Sequence, residues 1–356
     1  MRHSRFVHLA LDWIDPWSAP QELMQRLLEL ASHEPEPPVL FYENDWDLLL
    51  LSRSRDRLHP HVRLVLPDAD LVEALLDKAR FQELAERLQL PVPPSRRMTP
   101  GSTSPDSIDL RFPIVVKPLT RQVATWGPIS DGRKAVPVAD RRALESLWPR
   151  LEDGELLAQE LVPGPETMIE SYHVYVDDRG NVAGEFAGRK IRTFPSEYGF
   201  SSAVETTIRE DVLEAGRDVV SRLGLTGVAK LDFKRDVNGA LWLLEVNPRF
   251  SLWHHAGARG GVNLPYMVYA DLVGLARPAA VTVRPGVRWC RLGLDVKARA
   301  AAGIPLSRWV PWALACEARS VALDDPMPIF HGALELVLSR ARRSKKPRSS
   351  DDVMRA

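Results

Sequence analysis

Three shortages narrow the chain before any motif is read. Only two cysteines, Cys290 and Cys316, occur in 356 residues. That is too few for a disulfide framework and matches no metal spacing, so a reducing compartment and two buried thiols are expected. No window approaches the roughly 18 apolar residues of a membrane span. The opening MRHSRFVHLALDW has an apolar run interrupted by Asp12, so no signal peptide is expected. Neither charge is in excess, because 47 basic residues meet 47 acidic ones, and no global attraction to nucleic acid or anionic lipid results. The expectation is a cytoplasmic protein with no membrane or nucleic-acid partner. No internal repeat is visible.

What is present is ordinary globular composition, 45% hydrophobic and 26% charged. The length calls for two or three domains, and the 29 prolines cluster between elements. The most informative stretch is GVAKLDFKRDVNGALWLLEVNPR, from Gly227 to Arg249. Asn238-Gly239 lies between two alternating runs, the strongest short-range hairpin signal. A two-residue turn there sets Asp232 opposite Glu245, Lys230 opposite Asn247, Leu231 opposite Val246 and Phe233 opposite Leu244. One face is then apolar, and the other carries Lys230, Asp232, Lys234, Glu245 and Asn247. Two carboxylates roughly 5 Å apart destabilise a hairpin unless something offsets them. Lysines on the same face would do so. A hard divalent cation would also, since Mg²⁺ takes one or two carboxylates plus phosphate oxygens.

The stretch LDF…LLEVNPR resembles the metal-binding end of the ATP-grasp superfamily. The resemblance implies that Asp232, Glu245 and Asn247 hold Mg²⁺ (or Mn²⁺) of bound ATP, and that Arg249 contacts the reacting phosphate. It covers about residues 35 to 335 and implies an α/β (α+β) ATP-grasp fold with a shortened N-terminal pre-ATP-grasp α/β domain. The expected divisions are that first domain at 1–95, a small lid subdomain at 96–162, a large subdomain with the metal site at 163–275, an appended subdomain at 276–339 and a disordered basic tail at 340–356.

In the first domain, helices at Gln21–Leu30 and from Asp45, strands at Val39–Tyr42 and Val62–Leu66, and a long helix from Leu71 to Leu90 predict a small parallel sheet. The opening strand and glycine turn usual in the family are missing, either through loss of one βα unit or because the start lies upstream. A shortened sheet exposes an edge that a homodimer would cover. Asp77-Lys78-Ala79-Arg80-Phe81, running on to Leu90-Pro91-Val92-Pro93, resembles a family signature whose cation, here Lys78, reaches the nucleotide phosphates. An exposed helix lysine is the competing reading. Phe112-Pro113-Ile114-Val115-Val116-Lys117-Pro118 is a buried strand that ends in a lysine; the family assigns Lys117 to the α-phosphate and adenine side.

Thr120 to Arg133 is the expected phosphate-covering loop, poorer in glycine than in many relatives, with Arg121, Trp126, Arg133 and Lys134 as substitutes. ELLAQELV, Glu155 to Val162, resembles the adenine hinge. There Glu160 would accept from the adenine amino group, Leu161 and Val162 would pair with the ring edge, and Glu166 would bind ribose. A further hairpin ends in Gly188-Arg189-Lys190-Ile191-Arg192. It resembles a subset near D-aspartate ligase and carbamoyl-phosphate-synthase-like proteins. Arg189 and Arg192 are the proposed holders of a carboxylate or the transferred phosphate, against a solvated basic loop. His254 or Arg259, after the hairpin, could line an acidic-substrate pocket.

The implied function is an ADP-forming carboxylate–amine ligase acting through an acyl phosphate, with small-molecule carboxylate and amine substrates. Two alternatives stand: a carboxyphosphate- or carbamoyl-forming enzyme that uses bicarbonate, and a non-catalytic ATP-binding regulator.

Overall fold

The computed structural model describes residues 3–119, 126–130, 133–151, 154–319, 324–328 and 330–332. The basic tail at 340–356 and Arg121 of the covering loop lie outside these. The chain divides into two compact units. One is the pair of end segments, Met1–Ile14 with Arg319–Ala356, where Ser4 and Arg5 bond to Asp325. The other, Asp15–Ala318, holds nearly all of the regular structure.

Two antiparallel sheets dominate the larger unit. Strands β1 (Ser95–Met98), β2 (Ile114–Pro118), β3 (Val136–Val138) and β4 (Leu156–Glu160) form a four-stranded sheet in the order β1-β4-β2-β3. Strands β5 (Ile169–Val176), β6 (Val182–Phe194), β7 (Phe200–Thr207), β8 (Gly227–Arg235), β9 (Leu241–Asn247), β10 (Arg288–Cys290) and β11 (Ala318–Arg319) form a seven-stranded sheet. Its order is β11-β10-β7-β6-β5-β8-β9. Residues 288–290, expected in an appended subdomain, therefore extend the central sheet through β7.

All of β5 is buried, and β8 is buried up to Lys234, so both faces of the sheet centre are covered. The amphipathic helix Glu210–Leu223 covers one face with Val212, Val219, Val220 and Leu223. Its Gly216 sits where a Cβ would come within 2.3 Å of the Tyr172 ring, so only glycine lets helix and strand approach this closely.

The N-terminal region departs from expectation in two places. The predicted parallel sheet is a single parallel bridge between Val39 and Arg63. Past that bridge the Tyr42 hydroxyl, rather than a backbone amide, donates to the Val65 carbonyl. The predicted long helix is two, Ala69–Leu76 and Lys78–Arg87. Asp77 between them is extended, and its carboxylate caps the amides of Ala79 and Arg80. An N-cap aspartate stabilises a new helix start by about 1 kcal/mol, enough to favour a break over a continuous helix.

The central hairpin is also corrected in detail. Asp232 does face Glu245, Lys230 faces Asn247 and Leu231 faces Val246, but Phe233 pairs with Leu243, not Leu244. The turn is longer than two residues. The Asp236 amide donates to the Ala240 carbonyl, and the Asp236 carboxylate takes the amides of Asn238 and Ala240. That lengthens the loop and shifts the register by one. A β-bulge between Asp232 and Phe233, with Leu244 as the extra residue, restores it before the acids.

Candidate active site between the two sheets

A cavity of about 490 Å³ lies between the sheets. Its walls come from β2 and β4 on one side, from β5, β6, β8 and β9 on the other, and from the helices Ala69–Leu76 and Lys78–Arg87. The bulge shapes it. Leu243, fully buried, packs into the core, while Leu244 turns with Glu245 into the cavity. Val115, Leu157, Leu161, Val162 and Leu244 give an apolar end suited to a flat ring.

The other end is charged. Lys78, Lys117, Arg133, Lys134, Lys190 and Lys234 line it with Asp45, Glu160, Glu166, Asp232 and Glu245. Asp232 is 3% exposed, accepts from Ser171 Oγ on one oxygen, and meets Lys230 Nζ at 2.6 Å on the other. Glu245 lies across from it by register, and Asn247 two pairs further on, on the same face. Two carboxylates and an amide oxygen on one sheet face fit a hard cation that also needs oxygens from a bound ligand.

Lys117 Nζ donates to Gln159 Oε1 at 2.9 Å, and Gln159 Nε2 in turn donates to Ser95 Oγ at 3.0 Å. Burial pushes the Lys117 ammonium down to about 8, against the pull of Glu245. Lys78 Nζ donates to the Leu119 carbonyl at 3.0 Å and faces the same cavity. Glu166 accepts the Tyr198 amide at 3.2 Å and stands 3.9 Å from Lys190 Nζ. Burial holds Lys234 below the usual lysine range, Glu166 opposes this, and the Lys190 cation reinforces it.

Some expected positions are placed differently. The Glu160 carboxylate is taken by Arg111, whose Nη2 lies at 2.8 Å and whose amide lies at 3.0 Å. The Leu161 amide donates to the Pro113 carbonyl at 3.0 Å. Both residues line the cavity with Val162, but neither the acid nor that amide is spare for a ring edge. Arg189 points to the opposite sheet face, where its Nε donates to Glu205 at 2.7 Å. Arg192 forms a two-point pair with the fully buried Asp295, at 2.8 and 2.7 Å, and stacks on Trp312.

The residue of that run which enters the cavity is Lys190. Strand alternation opposes Arg189 and Lys190. A register shift at Ile191 then turns Arg192 away from the face Lys190 uses. Alternation separates Lys190 from Arg189 but groups it with Arg192, and the shift that parts those two has no local sequence signal. His254 is also away from the cavity, 3% exposed among Phe250, His173 and Phe186. Its imidazole is pushed down to about 3 by burial, with Arg249 and Lys230 adding to the effect. Of the residues named for the covering loop, Trp126, Arg133 and Lys134 reach the cavity, and the Lys134 ammonium lies 4.8 Å above the Phe200 ring.

Residues 153–292 match a family described as ATP-grasp in the biosynthetic pathway with Ter operon. The chain is 22% identical over 287 residues to D-aspartate ligase of Enterococcus faecium (strain Aus0004), covering 76% of this chain and 68% of that one. It is 23% identical over 217 residues to D-alanine--D-alanine ligase of Pseudomonas fluorescens (strain Pf0-1), covering 55% and 62%. Among solved structures it resembles the ADP complex of the N5-carboxyaminoimidazole ribonucleotide synthetase purK. The TM-score is 0.58 at 15% identity, over 74% of this chain and 66% of that one. An L-amino acid ligase from Bacillus licheniformis gives a TM-score of 0.56 at 18% identity, over 73% and 62%. The chain thus spans about two thirds of the length of these relatives. No helix among the described residues is long and apolar enough to cross a membrane.

Proposed function

We propose that the chain, which resembles ATP-grasp proteins over residues 153–292 and amino-acid ligases over most of its length, joins a carboxylate to an amine at the expense of ATP, through an acyl phosphate, releasing ADP and phosphate. The observation that carries this is the opposed acid pair Asp232–Glu245, with Asn247, on the wall of a cavity lined by six cations. A solvated hairpin face has no use for a buried Asp232 and a half-buried Glu245 among buried lysines, whereas a polyphosphate bound with a divalent cation does.

The adenine ring occupies the apolar end between Val115, Leu157 and Leu244, and Glu166 faces the ribose. Lys117, held by Gln159, and Lys78, held by the Leu119 carbonyl, meet the phosphates as compact point charges. Lys190 and Lys234 take the place on the anion wall first given to Arg189 and Arg192. Asp232, Glu245 and Asn247 would hold Mg²⁺, whose contribution when bound is to neutralise phosphate charge. The substrate carboxylate oxygen attacks the γ-phosphorus, and the bond to the β–γ bridging oxygen breaks. An amine then attacks the acyl carbon and expels phosphate. The side chains position and neutralise, as phosphoryl transfer requires; no protein nucleophile takes part.

Use of bicarbonate as the carboxylate is a weaker alternative, because the sequence matches are to amino-acid ligases and the carboxylases resemble the chain by fold alone. The test is ADP release with MgATP across a panel of amino acids, amines and bicarbonate. Glu245→Ala serves as the blank. Substrate-dependent release that is lost in the blank identifies a ligase and its substrate class. ATP binding without turnover on any member would leave a non-catalytic nucleotide-binding role instead.

A further inference from the structure

Arg249 follows the acid strand and is held on three sides. Its Nε donates to Asp45, one Nη donates to Asn247 Oδ1 at 3.2 Å, and the other reaches the Phe250 carbonyl at 3.4 Å. A guanidinium has five N–H donors. Among the described residues these contacts use three of the five; Arg249 is not itself among the residues that line the cavity, but two of its partners, Asp45 and Asn247, are. Both partners of the Arg249–Asp45 pair are well shielded, at 14% and 17% side-chain exposure.

Asp45 is 204 residues away in sequence and comes from the N-terminal region. It opens the helix Asp45–Arg53, which the Asn44 side chain caps by accepting the Asp47 amide at 2.8 Å. Leu48, Leu49 and Leu51 of that helix are buried in the same core as Phe250. The Phe41 and Tyr42 rings stand 4.9 and 5.7 Å from the Phe250 ring. Thus both ends of the ion pair are anchored in one packed core, and Asp45 itself lines the nucleotide cavity. An exposed pair contributes little, but a shielded pair on rigid elements fixes a donor's direction.

We propose that Asp45 is a positioning residue: by accepting from Nε it aims the remaining N–H groups of Arg249 at the transferred phosphate. This rests on the ligase reading above. It gives the N-terminal region a part in phosphoryl transfer. A donor misplaced by about 1 Å can cost roughly 100-fold in rate, so the effect falls on kcat and not on nucleotide binding.

The experiment compares ADP release by the wild type, Asp45→Asn, Asp45→Ala, Arg249→Ala and the double alanine variant. Asp45→Ala is expected to lower kcat about 10- to 100-fold with KM for ATP within about threefold. Asp45→Asn, whose amide oxygen still accepts from Nε, recovers most of the loss. The double variant is no slower than Arg249→Ala alone, an outcome that a merely structural role would not give. Asp45→Ala at the wild-type rate, equal losses in Asn and Ala, or multiplying losses in the double variant would each overturn the positioning role while leaving the ligase reading intact. Absence of wild-type turnover on every substrate would remove the ligase reading, and the positioning role with it. If Asp45→Ala fails to fold, the near-isosteric Asn variant and its combination with Arg249→Ala carry the same comparison.

Discussion

The bulge at Leu244 makes adjacent leucines do different jobs, and mutation can separate them. Leu243 is fully buried opposite Phe233 in the core; Leu244 faces the cavity beside Glu245. Leu243→Ala should therefore cost about 2–5 kcal/mol of folding stability, the usual range for a buried leucine. It should change nucleotide affinity little once folded protein is measured. Leu244→Ala removes the part of the side chain that would cover the adenine ring. At about 0.8 kcal/mol per buried methylene, partly realised on a half-buried residue, the loss is about 1–2 kcal/mol, or roughly 5- to 30-fold in Kd.

Deleting Leu244 is the sharper test. Without the extra residue, Leu243 still pairs with Phe233 and Glu245 still pairs with Asp232 in a regular ladder. The acid pair should survive and the apolar wall should be lost. The assays are chemical denaturation for stability and calorimetric titration with ADP or a non-hydrolysable ATP analogue for affinity. If Leu244→Ala proved the destabilising change and Leu243→Ala the one that weakens nucleotide binding, the assigned register would be wrong.

Lys117→Met should stabilise the nucleotide-free protein by about 1–3 kcal/mol near pH 7 while weakening ATP binding, because burial opposes the lysine's charge. The sign is fixed by linkage: the folded value of about 8 lies below the ordinary lysine value of 10.5, so the folded state bears the penalty below pH 8 and sheds it as pH rises toward 10.5. The Met advantage in thermal melts should shrink over that window. Arg192→Met strands the buried Asp295 carboxylate and should cost about 3–5 kcal/mol in denaturation with nucleotide affinity unchanged; Lys190→Met should do the reverse. Gly216→Ala adds a methyl against the Tyr172 ring and should destabilise by about 1–3 kcal/mol despite alanine's better helix propensity, measurable by denaturant midpoint.

Much of the site was written locally. The alternation on either side of Asn238-Gly239 determines that Asp232, Glu245 and Asn247 share a face, because strand side chains have a period of two and the bulge restores the register before the acids. The run from Phe112 to Pro118 declares a buried strand with a lysine at its end, and the structure sets Lys117, half-buried, on the cavity wall. Tertiary structure decided what depends on partners distant in sequence. Arg192 is drawn to Asp295, 103 residues on, because a buried carboxylate attracts the nearest fork of donors. Glu160 is claimed by Arg111, Arg249 by Asp45, and Leu244 is turned into the cavity by a bulge whose cause is the length of the neighbouring loop. Period and charge are properties of a segment, and the sequence by itself determined them. The partner that claims a long charged side chain, and the direction of a residue past a bulge, are settled only when separate segments compete for the same buried space.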